Sequence, residues 1–188
     1  MTPAPWPAVG ALEVKSVPRG HHAGDEMVKA ARVRLLRAEA VSPGKFWVLI
    51  AGGVAEVEAA LAMGLAAAAD SLLDSLFIPN LHPGVIPALE GGVVSLPSGA
   101  LGIVETATAA SGVVSADRAL KTAPVALHGL HLANGLGGKA YFTVSGEVGD
   151  VQAAVEAAER EAGAGGRFLS SQVIPRPHRD FLKGCLGT

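Results

Sequence analysis

Charge is scarce in this chain. Of its 188 residues, 17% are Asp, Glu, Lys or Arg, where an ordinary soluble domain carries about 25%. Aromatic residues make up 4%, and there is one cysteine, Cys185. Each shortage excludes something. A lone cysteine rules out an internal disulfide framework. A formal net charge of −2 offers no electrostatic basis for holding nucleic acid. The longest unbroken apolar run, Ala59 to Ala69, is closed by Glu58 and Asp70, well short of the ~20 residues that span a bilayer. Met1 to Pro7 contains Pro3, Pro5 and Pro7 but no basic residue, so it is not expected to act as a secretory signal. The remaining expectation is a cytoplasmic protein.

What the chain has in quantity is small apolar residues. AVILMFWYC residues account for 49%, and 24 glycines add to them, which excludes a disordered chain. A monomer of this size has a large surface to cover with polar groups. The missing charge therefore implies that part of the surface is hidden. With a membrane excluded, other subunits are the expected cover.

The sequence repeats itself. Gly10-Ala11-Leu12-Glu13 recurs as Gly102-Ile103-Val104-Glu105, and at the same offset Asp25, Lys29 and Ala31 match Asp117, Lys121 and Ala123. Two residues later in offset, Gly44-Lys45 matches Gly138-Lys139, and Val54 and Val57 match Val148 and Val151. After two more, Ile78-Pro79 and His82 match Ile174-Pro175 and His178. Ordered matches that include Glu, Asp, Lys, Pro and His indicate duplication rather than shared composition. We read two homologous domains at 8–90 and 100–182. A Gly/Pro/Ser-bounded linker at 91–99 joins them, with tails at 1–7 and 183–188.

Both copies have the same pattern of elements. A short apolar strand (Val9 to Val14) precedes a helix over about residues 22–32, with Met27, Ala30 and Ala31 inward. In the second copy Ser115 is a candidate cap and Pro124 a stop. Strands at Val33–Glu39 and Phe46–Ile50 flank a turn at Ser42-Pro43-Gly44. The spacing of Val54, Val57, Leu61, Leu65 and Ala68 predicts a helix over 54–69, matched by Val148, Val151, Val155, Ala158 and Ala162. A last strand closes at Pro79 or Pro175. The order is βαββαβ twice, which predicts an α+β fold: two tandem ferredoxin-like domains, each an antiparallel sheet with two helices on one face. The second helix is alanine-rich, and small side chains supply little burial energy each, so such a module gains stability from neighbours.

In these segments the sequence resembles bacterial microcompartment shell proteins. Ala100-Leu101-Gly102-Ile103-Val104-Glu105-Thr106 is similar to that family's opening strand. Asp117-Arg118-Ala119-Leu120-Lys121-Thr122-Ala123 is similar to its helix with the edge lysine, and Ile174-Pro175-Arg176-Pro177-His178 to its closing signature. Met27-Val28-Lys29-Ala30-Ala31 and Ile78-Pro79-Asn80 are the first copy's versions. Two unpermuted copies resemble the tandem subclass whose homotrimers mimic a hexameric tile. The permuted subclass, which stacks trimers around a gated pore, fits less well.

The resemblance implies roles for particular residues. Lys29 and Lys121 would lie on the outer rim, where tiles meet; two solvated helix lysines are the alternative. Arg176 and His178, with Asn80 in the first copy, would also belong to the tile edge, or are simply polar residues after a strand. Ser42, Pro43 and Gly44 in one copy, and Asn134, Gly135, Leu136 and Gly137 in the other, would surround a central pore. Their neutral polar groups, with Lys45 and Lys139 nearby, suit small polar or anionic metabolites; two ordinary hairpin turns are the alternative. Some tandem relatives hold an iron–sulfur cluster at the pore, but neither loop here has a thiolate to ligate one, so no cofactor is expected.

No metal-binding or catalytic constellation stands out. His21-His22, read as a loop, and His82, His128, His131 and His178 lack ligand spacing, and His128 and His131 are expected on opposite sides of a strand. Glu13 and Glu105 are read as satisfied structural groups. Gly135-Leu136-Gly137-Gly138-Lys139 lacks phosphate-loop spacing and precedes a strand. The expected function is a non-enzymatic shell subunit. Its expected partners are hexameric single-domain tiles, pentameric vertex proteins and, as a further candidate, encapsulated enzymes, with no nucleic acid and no membrane. A ligand-sensing regulator built from the same fold is the rival reading, because fold does not fix function.

Overall fold

The computed structural model describes residues 6–90 and 98–186. Most of the expected linker (91–97), residues 1–5 of the arm and the side chain of Cys185 lie outside the described residues. Contacts divide the chain into two units, 1–83 with 133–138, and 84–132 with 139–188.

The first unit is built from β1 (Ala8–Val14), α1 (Val17–Ala30), β2 (Arg34–Val41), β3 (Lys45–Gly52), α2 (Val54–Ala68) and β4 (Leu72–Ile78). Its sheet is antiparallel throughout, in the order β2-β3-β1-β4. The second unit opens with a short α3 (Ile86–Leu89). It then repeats the motif as β5 (Ala100–Thr106), α4 (Ala109–Thr122), β6 (Ala126–Leu132), β7 (Ala140–Gly146), α5 (Val148–Ala164) and β8 (Phe168–Ile174), and ends in α6 (Arg179–Leu186). Its strand order is β6-β7-β5-β8. The two-domain ferredoxin-like fold is as expected. The sequence offsets become structural ones: β1, α1 and β2 start 92 residues before β5, α4 and β6. The first two inserted residues lie in the loop before β7, and the next two lengthen α5 to 17 residues against 15 for α2.

Strand alternation builds the core. Ala8, Leu12 and Val14 of β1 and Phe46, Val48 and Ile50 of β3 meet Ala23 and Met27 of α1 and Val57, Ala60, Leu61 and Ala68 of α2. The helices come very close. A Cβ built on Gly10 would stand 2.8 Å from Val57 Cγ1, and one on Gly102 would stand 2.7 Å from Val155 Cγ2 and 2.8 Å from Val151 Cγ1. Gly64 of α2 likewise leaves room for Met27 and Leu12. Small residues are therefore a steric requirement of this packing.

Several local expectations are corrected. α1 starts at Val17 rather than near residue 22, because extended Ser16 caps it, accepting from Arg19 N, and a proline in the first turn needs no donor. His21 and His22 are thus helical, and His21 stacks at a tilt on Phe46. The buried face of α1 is Gly20, Ala23, Gly24 and Met27; Ala30 is exposed, and Ala31 has left the helix. Thr108, not Ser115, caps α4, accepting from Ser111 N at 3.2 Å; Ser115 is buried mid-helix. Val54 and Val148 are exposed, since each opens its helix a turn before Val57 or Val151 reaches the central strand.

Gly20 faces the Phe46 ring without room for a side chain, whereas a Cβ on Gly149 of α5 meets nothing within 4 Å among the described residues. Gly20→Val is expected to destabilise by at least ~1–3 kcal/mol, and Gly149→Ala to stabilise by ~0.5–1 kcal/mol. Thermal unfolding of the two variants should move the midpoint in opposite directions.

Candidate functional site

The two segments expected to face a common axis differ in backbone. Ser42-Pro43-Gly44 is a tight turn containing a cis Ser42–Pro43 bond. Gly44 has φ +89° and donates its N–H to Val41 O at 3.0 Å. The loop 133–138 is wound around one carbonyl, Ala133 O, which accepts from Leu136 N at 3.2 Å and Gly138 N at 3.4 Å. Four of its six residues, Ala133, Gly135, Gly137 and Gly138, have positive φ. Glycine adopts that region freely, whereas Ala133 holds it at a cost of roughly 1–2 kcal/mol. Pro43, Gly44, Asn134, Gly135 and Gly137 are exposed, with Ser42 and Leu136 half-buried.

Within the first unit the loop lies against that turn. A Cβ on Gly138 would stand 2.8 Å from Lys45 Nζ and 3.0 Å from Pro43 Cδ. The structure thus brings the loop carrying Asn134, Gly135, Leu136 and Gly137 to the turn carrying Pro43.

The lysine that follows each segment in sequence forms an ion pair. Lys45 Nζ donates to Glu13 Oε1 at 2.7 Å, and Lys139 Nζ donates to Glu105 Oε1 at 3.3 Å. The four residues occupy matching repeat positions, so the reading of both glutamates as satisfied structural groups agrees with the structure. The environments differ sharply: the Glu13 and Lys45 side chains are 0% and 19% exposed, against 35% and 51% for Glu105 and Lys139.

The rim lysines are also held in matching ways. Lys29 pairs with Asp25, and Lys121 Nζ donates to Asp117 Oδ2 at 2.6 Å, one turn back on the helix in both cases. The hydrogen bond to Asp25, with that carboxylate's charge, raises the Lys29 pKa above the usual lysine value. Asn80 and Arg176 are exposed just beyond their last strands. His178 is engaged locally: its Nδ1 accepts from Asp180 N at 3.3 Å, and its carbonyl accepts from Leu182 N at 3.1 Å, at the start of α6.

His128 and His131 lie on one face of the sheet, against expectation. A bulge between Leu127 and Gly129 adds a residue and shifts the alternation. Buried His128 then meets Ser145 Oγ at 2.6 Å, and His131 stacks on Tyr141 with ring centroids 4.4 Å apart. Ser145 and Tyr141 share a face of β7. Desolvation lowers the His131 pKa below the ordinary histidine value. Among the described residues no three His, Cys, Asp or Glu side chains stand together as a metal site, and no helix is long and apolar enough to cross a membrane.

Sequence reasoning missed the paired partners. The Asp–Lys pairs were detectable, since an aspartate four residues before a lysine recurs in both copies. The Glu13–Lys45 contact spans 32 residues and has no local signal. Lys45→Met would take the ammonium away from a fully buried carboxylate, with an expected cost of up to ~3–5 kcal/mol. Adding Glu13→Gln should recover part of that loss. Urea unfolding of the single and double variants checks the coupling.

The BMC domain profile matches residues 8–81 and again 100–177. The bacterial microcompartment shell protein PduT of Citrobacter freundii is 44% identical over 176 residues, which cover 94% of this chain and 96% of that protein. The carboxysome assembly protein CcmO of Synechococcus elongatus is 31% identical over 93% of this chain and 67% of its own length. Among solved structures, a microcompartment protein from Desulfitobacterium hafniense superposes with a TM-score of 0.85 at 43% identity, covering 95% of this chain and 98% of the other. Two matched domains in the order the structure shows, together with full-length relatives at this identity, establish that the chain belongs to the BMC-domain family of bacterial microcompartment proteins, with two copies of the domain in tandem.

Proposed function

We propose that the protein is a structural shell subunit of a bacterial microcompartment in the cytoplasm, acting through assembly rather than catalysis. The observation that carries this reading is the doubled BMC domain, aligned nearly end to end with a shell protein at 44% identity. The two domains, at 8–90 and 100–182 with a linker at 91–99, would each supply one sixth of a tile, so that a homotrimer forms a six-domain ring. Hexameric single-domain tiles, pentameric vertex proteins and encapsulated enzymes are the partners of such a ring.

Ser42, Pro43 and Gly44, with Asn134, Gly135, Leu136 and Gly137, would line its central pore. Their backbone amides, the Ser42 hydroxyl and the Asn134 amide favour small polar or anionic metabolites. Support comes from the loop's approach to Pro43 and Lys45 and from the paired lysine that follows each segment in sequence. Lys29, Lys121, Asn80, Arg176 and His178 would form the outer edge. Each rim lysine pairs with an aspartate one helical turn back, a modest bias on where its ammonium lies.

Two outcomes test this. Light scattering of the purified protein should give three copies of the 18.9 kDa chain, about 57 kDa. Lys121→Asp should keep that mass while abolishing ordered sheets, seen by electron microscopy after co-expression with single-domain shell subunits. A monomeric mass removes the ring, and intact sheets remove the rim role. In assembled shells, Asn134→Asp should slow the leakage of an anionic metabolite severalfold; an unchanged leakage rate removes the pore assignment.

A further inference from the structure

The two copies of the motif present the same ion pair in different states of completion. In the first unit Glu13 is buried and Lys45 largely so, and Gly138 lies against the lysine: a Cβ built on it would stand 2.8 Å from Lys45 Nζ and 3.0 Å from Pro43 Cδ. The repeat equivalent of Gly138 is Gly44, and the two glycines have nearly the same left-handed φ, +87° and +89°. Yet a Cβ on Gly44 meets no heavy atom within 4 Å among the described residues. The Glu105–Lys139 pair, the equivalent of Glu13–Lys45, is correspondingly open, with a longer contact and 35% and 51% exposure. Gly138 thus lies against a lysine, whereas among the described residues Gly44 does not, and Lys139 is half-exposed beside Glu105.

From this mismatch we infer that the turn Val41–Gly44 of a second copy of this chain seats on the Lys139–Glu105 pair, completing between chains the contact that Gly138 makes with Lys45 within one. The inference rests on the ring proposed above and assigns the contact that closes it. A surface on one part of the chain meets a different surface of the next, so the contact is head-to-tail, and it closes when the rotation does. The turn's chemistry suits the site. It brings no charge to oppose Lys139, its glycine already holds the backbone conformation that permits close approach, and its carbonyls and the Ser42 hydroxyl are acceptors for an ammonium whose other face is held by Glu105. Loss of water around the pair would strengthen it.

The experiment uses the full chain carrying Cys185→Ser. One preparation adds Ser42→Cys, a second adds Lys139→Cys, and the two are mixed, dissociated and allowed to reassemble. Under mild oxidation the mixture should give disulfide-linked pairs containing one chain of each kind, and neither preparation alone should cross-link comparably. Separately, Lys139→Glu, which sets two carboxylates together, should raise the trimer dissociation constant about tenfold or more in sedimentation equilibrium. The near-UV circular dichroism of the dissociated chain should stay unchanged. If trimers form without mixed cross-links, and Lys139→Glu assembles like the parent, the inference is overturned while the ring stands. A parent that is monomeric at all concentrations overturns both.

Discussion

The approach of the second helix of each motif to the central strand of its sheet is the constraint on which the rest of this structure depends. Gly10 and Gly102 leave less than 3 Å for a Cβ before valines of α2 or α5 are met. At that separation the helix face must be narrow, which fits the small residues on it: Ala60, Gly64 and Ala68 in one copy, Ala154, Ala157, Ala158 and Ala162 in the other. Small side chains pack densely but remove little apolar area per residue. The module is tight without being rich in burial energy, a property that suits a part meant to be surrounded by others.

The same strand carries a second instruction three residues on. Gly10 and Glu13, like Gly102 and Glu105, stand three positions apart along the strand and so point to opposite faces of the sheet. One face receives a helix, and the other receives a lysine from the start of the neighbouring strand. The Gly-x-x-Glu spacing thus couples helix packing on one side to the position of the turn before β3 or β7 on the other. Those turns are the segments assigned to the pore. In the first unit that turn is fixed by the Glu13–Lys45 pair, and the loop 133–138 by its hydrogen bonds to Ala133 O.

Much of the fold was legible from the sequence because duplication supplied an internal control. Matches between copies located every strand and both long helices, and the offsets marked where residues are inserted. Boundaries were less legible where a side chain competes locally for the backbone. Ser16 and Thr108 cap their helices, although a buried Ser115 looks equally suitable in sequence. The bulge at His128 was invisible, since nothing in the residue types announces an extra residue, and it reverses which face His131 occupies. Of the candidate site, the lysines and loop residues could be named from the motif, but not their carboxylate partners, except where an aspartate stands one helical turn away.

The sequence by itself determined that there are two domains, that each is a βαββαβ unit, and that charge is sparse. These follow from periodicity, register between copies and composition, all of which are local or one-dimensional properties. Only the tertiary structure decided that equivalent glutamates live in different surroundings, Glu13 sealed and Glu105 open, and that equivalent glycines do too, Gly138 against a lysine and Gly44 against none of the described residues. The reason is physical: burial and close approach depend on what lies across space, and two copies of one motif on a single chain need not have the same neighbours.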